Sequence, residues 1–225
     1  MASGQFEIEE TKLIRHLLAD VDVFVNIGAN IGYYCLHALS LNKRVIAIEP
    51  LQSNVYYLVR NIIENGFEAS VEVFPVAIGA ETNLLEIWGA GTGASLTRGW
   101  AGNDELQVER VPVMTLDRLL GDELKDKKAL ILADVEGSEY QMLLGSTRTL
   151  KLDPRPIWMI EIVTSEHQPF GSGINCYLKP TFEIFFDNGY KALSINEHET
   201  SVTREDVDRV YAGEKEFGCH NFLFY

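Results

Sequence analysis

The sequence predicts an α/β fold, a mostly parallel sheet covered by helices on both faces. Short apolar runs bounded by turn residues alternate with segments of helical periodicity. A Gly-rich turn joins one such run to a helical segment, as in strand–turn–helix units. The 225 residues, 46% hydrophobic and 23% charged, show no internal repeat or linker. We therefore predict a single domain over residues 1–225.

The first half of the chain contains three predicted strands and three predicted helices. They are, in order, a helix from Glu9 to Ala19, a strand from Val23 to Ile27, a helix from about Ile31 to Leu41, a strand from Arg44 to Ile48, a helix opened by Pro50 and ended by Asn65-Gly66, and a strand from Val71 to Val76. Proline lacks an N–H, so Pro75 predicts an interruption in the last strand.

Residues 80–113 break the alternation of strands and helices. Leu84 to Trp88 and Val108 to Val113 both resemble strands, which predicts an inserted β-hairpin at about residues 84–113. The run Gly89-Ala-Gly-Thr-Gly93 lies between them. Two interpretations stay open for this run, a flexible flap over a substrate or a simple turn.

The alternation resumes in the second half of the chain. The predicted elements are a strand from Ala129 to Ala133, a helix from about Ser138 to Leu150, a strand from Ile157 to Val163, a helix from Tyr177 to Asn188, and strands from Lys191 to Ile195 and from Asn221 to Tyr225. Parallel sheets of this kind bind ligands beyond the carboxyl ends of their strands. The candidate site residues are therefore sought there.

Composition excludes several classes of function. Nineteen basic and 33 acidic residues give a formal charge of −14, which argues against a sequence-independent grip on nucleic acid or anionic lipid. Three widely spaced cysteines fit neither a disulfide scaffold nor a cysteine zinc site. No segment resembles a membrane span, and Met1-Ala-Ser-Gly-Gln5 does not resemble a signal peptide. We expect a cytoplasmic protein; the sequence does not predict its oligomeric state.

The first candidate site is the segment Asn26-Ile-Gly28-Ala-Asn30-Ile-Gly32-Tyr33-Tyr34, which leads from a strand into a helix. Such a Gly-rich turn is typical of nucleotide-cofactor binding. Glu49 ends the next strand, 21 positions after Gly28, where its carboxylate can accept hydrogen bonds from two ribose hydroxyls.

The identity of the cofactor depends on the glycines of this turn. A dinucleotide-binding turn follows G-x-G-x-x-G, and Asn30 and Tyr33 stand where its later glycines belong. S-adenosylmethionine has no phosphates and needs no such close approach of the backbone. The turn therefore favours S-adenosylmethionine, and an NAD-dependent oxidoreductase remains the disfavoured alternative.

The chain resembles the FkbM-type methyltransferases from about Asp22 to Glu161. The resemblance rests on four motifs and two further matches, which read Asn26-Ile-Gly-Ala-Asn-Ile-Gly-Tyr-Tyr34, Ile48-Glu49-Pro50, Thr115-Leu116-Asp117, Asp134-Val-Glu136-Gly137-Ser-Glu139, Val76-Ala77-Ile-Gly79 and Glu161. It implies a Rossmann-like class I methyltransferase fold, S-adenosylmethionine as methyl donor and O-methylation of a sugar or natural-product hydroxyl. Asn26 replaces the usual Asp and Leu132 the usual Lys. Because of these two departures, a second alternative function stays open: a methyltransferase-like module that binds a donor or partner without catalysis.

The acceptor side of the site is predicted at two later strand ends. Strand alternation would point Asp134 and Glu136 to the same side, where a carboxylate can accept the proton of a substrate hydroxyl. Glu161 ends the neighbouring predicted strand, and His167 follows it in a loop as another candidate base. Asp134 and Glu161 could together hold Mg²⁺, which is the disfavoured alternative. For Glu139 we favour a role in completing the helix start beside a Ser138 cap.

The sequence thus predicts an S-adenosylmethionine-dependent O-methyltransferase acting on a small-molecule hydroxyl, with neither nucleic acid nor membrane as partner. Residues of about 22–80 would bind the donor and residues of about 129–225 the acceptor. The candidate donor-binding residues are Asn26, Gly28, Asn30, Gly32, Tyr33, Glu49, Pro50, Ala77 and Asp134, and the candidate catalytic residues are Glu136, Asp134, His167 and Glu161.

Overall fold

The computed structural model describes residues 8–195 and 199–225. The helices are α1 (Ile8–Leu18), α2 (Tyr33–Ser40), α3 (Gln52–Glu64), α4 (Leu116–Leu120), α5 (Glu139–Leu144), α6 (Leu178–Asp187) and α7 (Arg204–Tyr211). The strands are β1 (Val23–Ile27), β2 (Arg44–Ile48), β3 (Val71–Phe74), β4 (Ala77–Ile78), β5 (Asn83–Trp88), β6 (Val108–Met114), β7 (Ala129–Ala133), β8 (Ile157–Glu161), β9 (Ala192–Ser194), β10 (Thr200–Val202) and β11 (Asn221–Phe224). The segment Met1 to Gln5 lies outside the described residues.

The central sheet has the strand order β10-β9-β11-β8-β7-β1-β2-β3. The pairs β3–β2, β2–β1, β1–β7 and β7–β8 are parallel, whereas β11 runs antiparallel to both of its neighbours. Successive side chains of a strand point to opposite faces. In β1, Phe24 accordingly joins the core under one set of helices, and Val23 and Val25 join the core on the other face. The predicted mostly parallel sheet with helices on both faces is confirmed.

The inserted hairpin is also confirmed, and it belongs to a separate sheet. Strands β5 and β6 pair antiparallel from Asn83↔Val113 to Trp88↔Val108. The strand predicted from Val71 to Val76 ends at Phe74, before Pro75, and the chain then leaves the central sheet as β4. Strand β4 pairs parallel with β6, so a sheet with the order β4-β6-β5 forms beside the central one.

The helix predicted from Ser138 to Leu150 is too long. Helix α5 ends at Leu144, and its C-cap residue Gly145 packs so tightly that a Cβ there would lie 2.1 Å from the carbonyl oxygen of Gly79. Elements α4, β10 and α7 were not predicted. Within the described residues, no helix is long and apolar enough to cross a membrane.

Asp117 of the Thr-Leu-Asp motif holds the chain that follows α5. Its Oδ1 accepts hydrogen bonds from the backbone N–H and the hydroxyl of Thr149, both at 2.8 Å. Its Oδ2 accepts from the backbone N–H of Arg148 at 2.8 Å and from the hydroxyl of Thr147 at 3.1 Å. The motif therefore has a structural role, which is to tie the end of the inserted sheet to the loop before β8.

Asp117→Asn is expected to lower the free energy of unfolding by about 2 kcal/mol, because the new amide group would face N–H donors that now have an acceptor. Urea denaturation measures the change. Asp122→Asn is the control, since Asp122 forms an exposed ion pair with Arg148 at 3.5 Å and such pairs contribute about 0–1 kcal/mol. Equal effects of the two substitutions would contradict this role of Asp117.

Candidate functional site

Two adjoining cavities lie at the carboxyl ends of β1, β2 and β7, the edge where open parallel sheets bind ligands. The first, here called the apolar cavity, lies between this edge and the inserted sheet. The second, here called the acidic cavity, has a volume of about 350 Å³ and reaches α1 and the end of β8. The residues that line both cavities are Gly28, Asn30, Thr92, Asp134 and Glu136.

The turn after β1 forms the boundary between the cavities and requires glycine at position 28. Gly28 has a φ of +82°, and a Cβ there would lie 1.8 Å from the backbone oxygen of Asp134. The N–H groups of Gly28 and Ala29 both donate to the carbonyl oxygen of Ile48 at 2.9 Å. These contacts join the ends of β1, β2 and β7 at one point of the site.

Glu49 follows β2 and is 4% exposed. Its Oε2 accepts a hydrogen bond from the N–H of Asn30 at 2.8 Å, and its Oε1 accepts from the N–H of Leu51 at 2.9 Å and the amide of Asn54 at 3.2 Å. Burial raises the pKa of Glu49, and these hydrogen bonds oppose the rise. A carboxylate offers about four lone-pair sites, so capacity remains for a ligand hydroxyl.

The apolar cavity is narrow, about 60 Å³, because the Gly-rich run of the inserted sheet lies over it. The Asn54 amide donates a hydrogen bond to the carbonyl oxygen of Gly91 at 3.2 Å. Gly91 and Thr92 belong to the lining, together with Pro50 and Ala77. The run thus lies over the cavity, which is the position that the flap interpretation predicts.

The other predicted residues of the first turn differ in their positions. Asn26 and Tyr33 line the acidic cavity. The Asn26 amide also contacts Cys35 Sγ at 3.5 Å. Gly32 lies outside the lining of both cavities, and a Cβ there would lie 2.5 Å from Leu58 of α3. Gly32 is therefore required for the packing of α3 against this turn.

Asp134 and Glu161 meet because β7 and β8 are parallel neighbours and both end at this edge. Their side chains share a hydrogen bond, and solvent reaches Asp134 from the open side of the cleft. Desolvation by the surrounding protein atoms raises the pKa of Asp134 well above its usual range, and the nearby charges of Glu161 and Glu136 raise it further.

Glu136 reaches the cavities by a different route from the one predicted. Strand β7 ends at Ala133, and Glu136 stands in the following turn with a φ of +50°, so strand alternation does not apply. Its Oε2 accepts a hydrogen bond from the indole of Trp100 at 2.6 Å. Burial raises the pKa of Glu136, whereas the hydrogen bond from Trp100 lowers it. Glu136 lines both cavities.

His167 lies outside the lining of both cavities and is exposed. Its ring packs against Trp100 with 6.0 Å between centroids, and its carbonyl oxygen accepts a hydrogen bond from the N–H of Ala101 at 2.7 Å. His167 therefore lines neither cavity, although it lies close enough to Glu136 to lower the pKa of that carboxyl. Its contacts place it at the junction of its own loop with the inserted sheet.

Glu139 is buried at the start of α5, near the carboxylates of Glu136 and Glu161. Its Oε1 accepts a hydrogen bond from the N–H of Gly137 at 2.8 Å, in agreement with its predicted role at the helix start. Ser138 is the N-cap residue, but its side chain makes no capping hydrogen bond. Burial raises the pKa of Glu139 to about 7, and the charges of Glu161 and Glu136 add to the rise.

The charge of the site comes from carboxylates. Of the described residues that line either cavity, none is Lys or Arg, whereas Glu10, Glu49, Asp134, Glu136 and Glu161 are acidic. In the described part of the chain, no group of three or more His, Cys, Asp or Glu side chains is arranged to hold a metal ion.

Among the residues that sequence reasoning missed at the site are Glu10, Asn54 and Trp100. Glu10 reaches the acidic cavity from α1 and Asn54 the apolar cavity from α3, and Trp100 comes from the loop of the inserted sheet. The position of Asn54, five residues after Glu49 at the start of a helix, was the available signal. No local pattern in the sequence pointed to Trp100, because its contact with Glu136 spans 36 residues.

The sequence matches the family model described as "Methyltransferase FkbM domain" over residues 26–192. The fold is similar to the crystal structure of a methyltransferase FkbM from Methylobacillus flagellatus KT, with a TM-score of 0.55 and 20% identity over 92% of this chain and 44% of that one. It is also similar to the METTL16 MTase domain, with a TM-score of 0.50 and 12% identity over 96% of this chain and 65% of that one. This chain thus spans less than half the length of the M. flagellatus protein. No curated protein matches the sequence.

Proposed function

Because the chain belongs to the FkbM methyltransferase family, we propose that it transfers a methyl group from S-adenosylmethionine to a hydroxyl oxygen of a sugar or natural-product molecule. The observation that carries the proposal is the buried Glu49 beside the Gly28 turn, at the mouth of an apolar cavity. In this proposal one domain binds the donor with residues 22–80 and the acceptor with residues 129–225.

The residues present fit the donor. Ile48, Ala77 and Ile78 offer apolar surface for an adenine ring, and Glu49 retains acceptor capacity for ribose hydroxyls. Asn26 and the Asn30 turn face the acidic cavity, where they would hold the amino-acid end. When bound, S-adenosylmethionine supplies an electrophilic methyl group attached to a positively charged sulfur.

In this proposal Glu136 is the base for the acceptor hydroxyl. In the proposed reaction the hydroxyl oxygen forms a bond to the methyl carbon as the carbon–sulfur bond breaks, and Glu136 accepts the hydroxyl proton. Glu136 lines both cavities and therefore borders both proposed ligands. Burial raises its pKa, which makes the carboxylate a stronger base. Asp134 and Glu161 line the acidic cavity beside it and would orient the acceptor.

Donor binding is the first test of the proposal. Calorimetric titration with S-adenosylmethionine, S-adenosylhomocysteine and NAD⁺, with and without Mg²⁺, should show saturable binding of the first two ligands only. Glu49→Gln should weaken it, because the glutamine NH2 group would replace one of the two oxygens and face the N–H of Asn30 or that of Leu51, which would lose its acceptor. The matched control is Glu64→Gln at the far end of α3. Binding of NAD⁺ alone, or of none of the three, would overturn the proposal.

Glu136→Gln is expected to lower turnover by about 100-fold, because the amide cannot accept the hydroxyl proton. Donor affinity should change little, since none of the contacts of Glu49 or the Gly28 turn is removed. Rates with the acceptor found by screening, together with calorimetry, separate the two effects. Glu166→Gln is the control, because Glu166 is an exposed carboxylate of the 164–173 loop. Unchanged turnover in Glu136→Gln would exclude this residue as an essential base.

The charge of the acidic cavity also predicts which acceptors are excluded. Glu10, Asp134, Glu136 and Glu161 line it without a compensating Lys or Arg in the described lining. Acceptors that carry phosphate or carboxylate should therefore react at least about tenfold more slowly than neutral counterparts, a difference of about 1.4 kcal/mol. Methyl glucoside, glucose 6-phosphate and glucuronate form a matched panel for competition assays. Preference for either anionic sugar would contradict the prediction.

A further inference from the structure

The loop of the inserted sheet reaches across the site and contacts the turn that carries Glu136. This loop, residues 89–107 between β5 and β6, makes three polar contacts there. The Ser95 hydroxyl donates to the carbonyl oxygen of Glu136 at 2.5 Å, the Thr97 hydroxyl donates to that of Gly137 at 3.5 Å, and the Trp100 indole donates to Glu136 Oε2 at 2.6 Å. Of these contacts, the one from Trp100 reaches the carboxylate itself.

Close packing restricts the orientation of the Trp100 indole. It is 2% exposed, and its ring covers Gly137, where an added Cβ would lie 2.5 Å from two ring carbons. The His167 ring makes an edge contact with the Trp100 ring, with 6.0 Å between the two centroids. A buried indole N–H needs an acceptor. Here Glu136 is that acceptor.

Glu136 in turn depends on support from outside its own turn. Its φ of +50° lies in the left-handed region, which a residue with a side chain adopts at a cost of about 1–2 kcal/mol. The contacts from Ser95 and Trp100 hold both its backbone and its side chain in place. Because the indole occupies Oε2, Oε1 is left to accept the proton in the proposed reaction.

We propose that Trp100 is the positioning residue of the acceptor site: it holds the Glu136 carboxylate at the boundary of the two cavities, with Oε1 directed to the acceptor. This inference rests on the proposed function, and Trp100 acts through Glu136 without touching the acceptor. It also assigns a role to the inserted sheet, which brings Trp100 to a turn 36 residues later in the chain.

The contact can be tested without activity, by NMR of the full chain labelled with ¹⁵N-tryptophan. The sequence has three tryptophans, so three indole N–H signals are expected, and Trp100→Phe identifies one of them. Glu136→Gln should move that signal upfield, because an amide oxygen is a weaker acceptor than a carboxylate. The Trp158 signal should not move, since its indole donates to the Tyr190 hydroxyl. An unmoved Trp100 signal would overturn the inference.

The positioning role is tested by kinetics. Trp100→Phe keeps an aromatic ring over Gly137 but lacks the donor, and kcat should fall by about 10- to 100-fold with an unchanged KM for the donor. In the double variant, Trp100→Phe should add little to the loss caused by Glu136→Gln, because both changes act on one unit. Trp88→Phe, in β5 of the same sheet, is the matched control. Full activity of Trp100→Phe, or additive losses, would overturn the role.

The two readouts also separate this inference from the proposed function. An indole signal that moves in Glu136→Gln, in a chain that binds no donor and transfers no methyl group, would overturn the proposed function and with it the positioning role. An unmoved signal in an active methyltransferase would overturn the role of Trp100 alone.

Discussion

Gly28→Ala is expected to abolish donor binding and to lower the free energy of unfolding by about 4 kcal/mol. Alanine at a φ of +82° costs about 1–2 kcal/mol. The added Cβ would also lie 1.8 Å from the Asp134 carbonyl oxygen, and such overpacking against backbone costs about 1–3 kcal/mol more. Since Asp134 N–H donates to the carbonyl oxygen of Ile27 at 3.0 Å, relief of the clash would separate β1 from β7.

Gly66→Ala isolates the conformational part of this effect. Gly66 has a φ of +71°, but an added Cβ would have no atom within 4 Å. We expect a loss of about 1 kcal/mol and unchanged donor affinity for this variant. Urea denaturation and calorimetry of both variants give the comparison. If Gly28→Ala lowered the free energy of unfolding and the donor affinity no more than Gly66→Ala, the close approach of Gly28 to Asp134 would contribute to neither.

The same close approach explains why these strand ends could be predicted to meet. Strands β1, β2 and β7 have the bounds that were predicted, because each is a short apolar run, buried in the sheet, that ends at a turn residue. Once those ends are known, parallel pairing brings Gly28, Glu49 and Asp134 to one edge. Topology and local pattern thus agree at these three residues of the proposed site.

Elements decided by contacts distant in the sequence were missed. Gly145, which follows α5, packs against the carbonyl oxygen of Gly79, and β4 pairs with β6 instead of extending β3 along β2. Neither contact is visible in the local sequence pattern. Helix α7 did carry a local signal, the capping box of Thr203 and Asp206 at its start. This signal was weak because the helix has only eight residues, and two apolar side chains of it are buried.

Residues on loops were predicted less well than residues at strand ends. His167 was grouped with the carboxylates from its place after β8, yet it lies outside both cavities. Periodicity says nothing about the path of the 164–173 loop, which depends on contacts with the inserted sheet such as the pairing of Ala101 with His167. Trp100 was missed for the same reason.

Glu139→Gln is expected to stabilise the protein by about 3 kcal/mol at pH 8 and by less than about 1 kcal/mol at pH 5. Burial raises the pKa of Glu139 to about 7, whereas an unperturbed glutamate has a value of 4.5. Between these values the folded chain retains a proton that the unfolded chain releases, so stability falls as pH rises through this window. A difference of about 2.5 units corresponds to about 3 kcal/mol, all of it lost by pH 8. Glutamine carries no charge to bury, and its side-chain oxygen can still accept from Gly137 N–H.

Denaturation at pH 5 and pH 8 measures the effect, and Glu205→Gln is the control because Glu205 is exposed on α7. Asp134, Glu136 and Glu49 also have raised pKa values, so the variant should keep a residual fall of stability toward high pH. An equal difference from the wild type at both pH values would show that Glu139 does not titrate between them. Because the charge of Glu139 also raises the pKa of Asp134, Asp134 should ionise at a lower pH in the variant. A stability gain together with that shift would mean that the buried carboxylate is retained for the electrostatics of the site rather than for folding.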